Sequence, residues 1–486
     1  MASSDTIAAI ATALSDSGIG IIRISGEKAI EISDSVFCNK YGKKILKNVQ
    51  SHTIHYGYIF NPFDFPDMDD YRKKIVDEVM VSVFRAPKSY TTEDTVEINC
   101  HGGILMTQKI LKLVLRAGAR LAEPGEFTKR AFLNGRIDLS EAEAVMDIIH
   151  SKNELSLKAS VSQLRGDLAD KIRILREDII YEIAFIESAL DDPEHISLDG
   201  YPDRLREKLK NIIQSISSLL ETSENGRIMK EGISTVIVGK PNAGKSSLLN
   251  MILGQERAIV TDIAGTTRDV LEESVRLRDI HLNIIDTAGI RDTDDIVEKI
   301  GVDRARKYAK DADLVLYVVD TSVEIDENDK EIMSLIGDKK VILLFNKSDL
   351  EQKVSEEDFI ESLNHCKKET GENLNFCGIG SLAVIHTSAK ENEGLEELEQ
   401  KIRELFFHGE IKSENEIMIT NIRHKQALQD AMDALKLVSK SIEEGMPEDF
   451  YSIDLMSAYS SLGLIIGEEV EDDLVEEIFS KFCMGK

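Results

Sequence analysis

The tightest constraint on this chain lies between residues 235 and 252. An apolar run of strand length, 235–238, leads into Gly239-Lys240-Pro241-Asn242-Ala243-Gly244-Lys245-Ser246, and a helix-forming stretch, 247–252, follows. A strand of that kind, apolar on both faces, needs parallel neighbours with helices over each side. Further continuous apolar runs at 282–285, 314–319, 341–345 and 383–385 supply them, with helical spacing between. The turn itself reads G-x-x-x-x-G-K-[ST]. Its glycines let backbone N–H groups point inward at phosphate oxygens, and the helix N-terminus adds its positive end. Residues 231–408 therefore read as an α/β domain that holds a phosphate.

The other strand ends say which phosphate compound. Lys245 is placed to reach β- and γ-phosphates, and Ser246 to ligate Mg²⁺, with Ala243, Gly244 and Ser247 in the same loop. In Asp286-Thr287-Ala288-Gly289, Asp286 can hold Mg²⁺ through water and Gly289 can meet the γ-phosphate. Asn346-Lys347-Ser348-Asp349 offers a carboxylate for the ring N–H and exocyclic amine of guanine, a donor pair that adenine lacks. Ser388-Ala389-Lys390 would support the base. Four motifs in order at strand ends predict a GTPase. Thr261-Asp262-Ile263-Ala264-Gly265-Thr266-Thr267 is the first switch candidate, with Thr267 for Mg²⁺. Ile290 follows Gly289, where a Ras-like enzyme keeps a water-orienting glutamine; isoleucine cannot orient water. Glu298 is a carboxylate within reach of that task, although on its own it reads as a solvated acid. The positive charge needed between the phosphates has three candidate sources: Arg268, Arg291, or a monovalent cation held by Asn242 and the 261–266 loop.

The flanks differ in texture. Residues 1–134 alternate short apolar runs with turn residues, as at 18–25 and 96–103, and predict an α+β domain. At Leu139 the period becomes helical, and Ser140-Glu141-Ala142-Glu143 reads as a capping box. One apolar stripe runs through Leu164, Leu168, Ile172, Leu175, Ile179, Ile183, Ile186 and Leu190 to the break at Asp191-Asp192-Pro193. A second holds Leu205, Leu209, Ile212, Ile216 and Leu219. Helical spacing returns after about 405 (Leu428, Met432, Leu435). The predicted organisation is an N-terminal domain (1–134) and a helical domain in two parts (135–230 and 409–486), with the α/β domain (231–408) inserted between them.

Of the 486 residues, 59 are basic and 88 acidic, a net charge of −29. Such a chain repels polyanions as a whole, so it does not read as a stand-alone nucleic-acid binder. The imbalance is regional: residues 1–134 carry 17 basic and 16 acidic side chains, and the last 46 carry 2 and 12. Five cysteines without a C-x-x-C pair, no basic leader and no apolar run near ~18 residues predict a cytoplasmic protein without a membrane span.

Gly-Lys-Pro-Asn-Ala-Gly-Lys-Ser, Thr-Asp-Ile-Ala-Gly-Thr-Thr-Arg-Asp and Asp-Thr-Ala-Gly-Ile-Arg resemble the tRNA-modification GTPase family MnmE (TrmE). The resemblance extends to Gly-Ile-Ile-Arg-Ile-Ser-Gly (20–26), to residues 126–139 and to the tail Phe482-Cys483-Met484-Gly485-Lys486. It implies an N-terminal domain that binds 5-formyl-tetrahydrofolate or a related folate, a helical domain, and an inserted Ras-like G domain that takes GTP, Mg²⁺ and K⁺. It implies a homodimer that works with an FAD-dependent MnmG (GidA)-like subunit on tRNA. The product would carry aminomethyl or carboxymethylaminomethyl groups at C5 of the wobble uridine, U34. By motif, K⁺ ligands fall on Asn242, Thr261, Ile263 and Thr266, and Mg²⁺ ligands on Ser246 and Thr267. The catalytic carboxylate falls on Glu298, beside Lys245. Folate contacts fall on Arg23, Glu97, Arg136 and Lys486, and Cys483 is a candidate thiol. Arg136 stands where the family commonly has lysine, and Met484 where it has isoleucine. Two other readings share many of these residues: an RNA- or ribosome-associated GTPase switch without one-carbon chemistry, and a folate-dependent aminomethyltransferase with a regulatory G domain.

Overall fold

The computed structural model describes residues 5–63, 74–254, 273–277, 280–285, 312–335, 339–362, 383–407, 417–470, 472–483 and 485. The chain divides into two compact units. One comprises Met1–His150, Ser160–Gln214 and Gln426–Lys486, the other Ser151–Ala159 and Ser215–Lys425.

The first unit starts with β1 (Ile7–Ile10), β2 (Ser17–Ser25), α1 (Ala29–Val36), β3 (Phe37–Asn39), β4 (Thr53–Phe60), β5 (Ile75–Phe84) and β6 (Thr95–Gly102). Then come α2 (Ile104–Arg116), β7 (Arg120–Leu121) and α3 (Glu126–Leu133). The strands form one sheet in the order β3-β4-β5-β6-β2-β1-β7, antiparallel except for the β1–β7 pair. Period-2 alternation sorts its faces. Ile22, Ile24, Val96 and Ile98 enter the core under α1 and α2, and Arg23 and Glu97 take the opposite face.

Helices follow: α4 (Leu139–His150), α5 (Glu154–Leu164), α6 (Asp167–Asp191) and α7 (Tyr201–Glu231). The stripe expected from Leu164 to Leu190 is shorter than its spacing suggested. Leu168 to Ile186 are buried, but Leu164 and Leu190 are exposed. The reason is Gly166, whose φ of 91° ends α5 and starts α6, so Leu164 belongs to another helix. The expected capping box is displaced by two residues. Asp138 Oδ1 accepts from the Glu141 N–H at 2.9 Å, and Glu141 Oε2 accepts from the Asp138 N–H at 2.8 Å. Aspartate wins because its carboxylate also takes the Ser140 hydroxyl and the Arg173 guanidinium. Ser140 is buried, and its carbonyl accepts from Gln163.

The second unit holds β8 (Ile233–Val238), α8 (Lys245–Gly254), β9 (Glu273–Leu277), β10 (Ile280–Ile285), β11 (Leu314–Asp320), α9 (Glu327–Leu335), β12 (Lys340–Asn346), β13 (Ala383–His386) and α10 (Leu395–Phe407). Its sheet runs β13-β12-β11-β8-β10-β9, parallel apart from the antiparallel edge strand β9, which the apolar-run reading missed. Along β11, Leu314, Leu316 and Val318 pack on the side of α8 and α10, whereas Val315, Tyr317 and Val319 pack on the side of α9. The chain leaves β8 for β10 on one side and reaches β11 on the other. The carboxyl end of β8 is therefore the switch point at which an open parallel sheet forms a crevice.

The chain ends in α11 (Ile422–Glu443), α12 (Glu448–Ile466), which packs along α6, and α13 (Asp472–Ser480). Val475, Phe479 and Phe482 close a small core with Leu139 and Ala142. Among the described residues, no helix is long and apolar enough to cross a membrane.

Candidate functional site

At the β8 switch point the loop turns through Gly239 (φ 155°), Asn242 (φ 61°) and Gly244 (φ 101°) before α8 begins at Lys245. A side chain on Gly239 would meet the Val318 carbonyl, and one on Gly244 the Asn346 amide, so both positions require glycine. Lys245 Nζ donates to the carbonyls of Gly239 (2.6 Å) and Lys240 (3.0 Å), and burial pulls its pKa below that of an ordinary lysine. Lys240, a variable position of the motif, is buried against Asp329 of α9 at 2.8 Å. That pair anchors the outer wall of the loop. The concave run of backbone before a helix N-terminus suits a polyphosphate. Ser246 stands at the start of α8, where a Mg²⁺ ligand is expected, and Ser247 beside it is exposed.

The last residue of β12, Asn346, ties this loop to the two loops expected from the sequence to read the base. It is 2% exposed, its Nδ2 donates to the Ala243 carbonyl at 2.8 Å, and its Oδ1 accepts from the Ala389 N–H at 3.4 Å. Lys347 follows in the left-handed region (φ 63°), with Nζ 2.6 Å from Asp320 at the end of β11. Burial pushes the Asp320 carboxyl up. Lys347 and the Ser322 donors outweigh it and hold the group below the ordinary carboxylate range. Asp349 Oδ1 accepts from the Ser388 hydroxyl at 3.0 Å, and Lys390 Nζ lies 3.9 Å from Asp349 Oδ2. Asn346, Lys347, Asp349, Ser388, Ala389 and Lys390 thus meet in one layer, joined to the phosphate loop through Asn346. Asp320 and Asp329 were not singled out in the sequence. Each is a lone acid whose role depends on a lysine distant along the chain.

Thr261, Asp262, Ile263, Ala264, Gly265, Thr266, Thr267, Asp286, Thr287, Ala288, Gly289, Glu298 and Lys486 lie outside the described residues. So do Arg268, Ile290, Arg291 and Met484.

The other candidate set gathers in the first unit. Arg23 and Glu97 are direct cross-strand partners. Arg23 Nε and Nη2 both reach Glu97 Oε1, at 2.9 and 2.8 Å, and Arg23 Nη1 donates to the Gly485 carbonyl at 3.0 Å. Glu97 Oε2 accepts no hydrogen bond among the described residues, so an acceptor remains for a ligand amine. The guanidiniums of Arg23 and Arg136 lie over the Tyr90 ring, 5.5 and 4.8 Å from its centre, and Arg136 also donates to the Tyr90 carbonyl. Tyr90 was missed: a lone tyrosine in a polar loop carries no signal until two arginines are seen to share it. The tail reaches this place because the Cys483 carbonyl accepts from the Gly125 N–H and Gly485 (φ 86°) lies against Ile10 and Ala11, too close for a side chain. Cys483 is exposed. Cys38 and Cys100 are buried, and burial pushes the Cys100 thiol up to about 11.

Two family models match the chain: "MnmE helical domain" over residues 139–483 and "GTP-binding protein TrmE N-terminus" over residues 6–136. Among relatives named tRNA modification GTPase MnmE, that of Lachnoclostridium phytofermentans is 54% identical over 99% of this chain and 99% of its own length. Those of Acetivibrio thermocellus and Carboxydothermus hydrogenoformans are 48% and 50% identical over the same shares of each chain. Similarity along the full length to these models and relatives, in a chain with a phosphate-loop motif at the switch point of its parallel sheet, places it in the MnmE family of tRNA modification GTPases.

Proposed function

We propose that the chain hydrolyses GTP to drive conformational change in a complex that modifies the wobble uridine of certain tRNAs. In that complex an FAD-dependent MnmG-like subunit works beside it. The two add an aminomethyl or carboxymethylaminomethyl group at C5 of U34, with the one-carbon unit drawn from a folate donor bound by the N-terminal domain. The observation that carries this reading is the convergence of Arg23, Glu97, Arg136 and the C-terminal tail around Tyr90, in the same chain as the phosphate loop. The Glu97 oxygen that has no partner among the described residues suits the pterin amine and ring N–H, and the cations suit the glutamate carboxylates. Lys486 would join them from the tail.

Lys245 would neutralise the β- and γ-phosphates, while Asp349 reads guanine. Ser246 and Thr267 would hold Mg²⁺, with Asp286 acting through water. Asn242, Thr261, Ile263 and Thr266 would hold K⁺, which supplies positive charge between the phosphates. Glu298 would orient the attacking water. The domain plan is folate domain 1–134, helical domain 135–230 and 409–486, and inserted G domain 231–408. The working form is a cytoplasmic homodimer. Because the chain carries −29, the basic surface that grips tRNA belongs chiefly to the partner. The test is GTP hydrolysis in KCl against NaCl at equal ionic strength. The rate rises at least tenfold in KCl; equal rates would remove the cation site and the role given to Asn242.

A further inference from the structure

Beside the Arg23–Glu97 pair the first unit has an open depression of about 580 Å³, within the range of small-molecule sites, roughly 300–1,000 Å³. Its lining includes His52, Lys88, Tyr90, Thr92 and Arg136 and no aspartate or glutamate. In a chain of net charge −29, a concavity that carries Lys88 and Arg136 and is free of acids is a selective feature. Lys88 is exposed and has no ion-pair partner among the described residues, nor has Arg136, whose guanidinium meets only the Tyr90 ring and carbonyl.

Backbone strain marks the same place. Five non-glycine residues among those described have positive φ: His52, Thr92, Asn242, Lys347 and Asn392. Asn242 and Lys347 belong to the phosphate loop and the base layer, and Asn392 to the turn closed by Ser388 and Glu393. The other two line this depression. Thr92 is β-branched, for which the left-handed region is costly, on the order of 1–3 kcal/mol, and such strain persists where a site needs a fixed wall.

We infer that this depression seats the γ-linked glutamates of an oligoglutamylated folate, so that the chain selects the extended cofactor over the monoglutamate. The inference rests on the folate reading of Arg23 and Glu97. Continuity supports it, since the Tyr90 ring that Arg23 overlies is also a wall of the depression. Charge supports it too. Each added glutamate brings one carboxylate, and Lys88, which has no ion-pair partner among the described residues, lines the depression together with Arg136.

The experiment is calorimetric titration of the full chain with 5-formyl-tetrahydrofolate and with its triglutamate. An exposed ion pair contributes a factor of up to about five, so the wild-type chain binds the triglutamate roughly five- to twenty-fold tighter. Lys88→Ala lowers the ratio of the two affinities by up to about fivefold, and Lys88→Arg keeps it high. Equal wild-type affinities for the two ligands would overturn the inference and leave the folate reading standing. An unchanged ratio in Lys88→Ala would also overturn it. Loss of tRNA binding in Lys88→Ala with the ratio intact would assign the surface to an RNA backbone instead. Binding of neither ligand would bring down the folate reading itself.

Discussion

At the scale of residues, the nucleotide site is built from contacts that cross the sheet. Asn346 holds the phosphate loop and the Ala389 amide at once, so the loops proposed for phosphate and for base are joined by one buried amide. Asp349 is steadied by Ser388 and Lys390, which leaves it aimed by its neighbours rather than by its own rotamer. Asp349→Asn should reverse the recognition of the guanine donors. In competition binding the variant loses at least tenfold in preference for GTP over XTP; unchanged selectivity would remove Asp349 from base reading. The Asp320–Lys347 pair makes a pH prediction. The folded-state pKa of Asp320 is depressed, so its contribution is present above the unfolded value, about 4, and is lost as pH falls through the still lower folded value. Thermal unfolding of the wild type and of Asp320→Asn should therefore differ most from neutrality down to about pH 4 and converge below it. A difference constant down to pH 2 would contradict the pairing.

At the scale of elements, strands were legible where burial on both faces made the runs continuous, and all five apolar runs of the second unit lie within strands. Edge strand β9 (Glu273–Leu277) was not, because only part of it is apolar and its identity depends on pairing with β10. Helix α6 was legible from its stripe, but the break at Gly166 was not, since the 3.6 period runs on across it. The phosphate loop was readable because local backbone conformation and a short spacing specify it. So were the motifs expected to read the base. Asp320 and Asp329 behind them and the Tyr90 cluster were not, because they act through residues far apart in sequence, Arg23 and Gly485 above all. The cap of α4 is testable at this scale. Asp138→Ala removes the acceptor for the Glu141 N–H and the partner of Arg173, and should destabilise the first unit by about 1–2 kcal/mol. Ser140→Ala should cost less in the same helical unfolding signal. A larger loss for Ser140→Ala would return the cap to Ser140.

At the scale of the whole molecule, one chain carries a nucleotide site in one unit and a cation-rich cluster in the other, with helix α7 (Tyr201–Glu231) contributing residues to both units. Its acidity lies outside the N-terminal third, so the neutral region is also the one with the Arg23–Glu97 pair. On this account hydrolysis matters only because it drives chemistry on tRNA. That claim is tested most directly by mass spectrometry of wobble uridines from cells lacking the chain and supplied with either the wild type or Lys245→Ala. The account predicts that C5-aminomethyl-type uridines disappear in the deletion, return with the wild type and stay below about a tenth of that level with Lys245→Ala. Wobble uridines that keep their full modification in the deletion strain would contradict it.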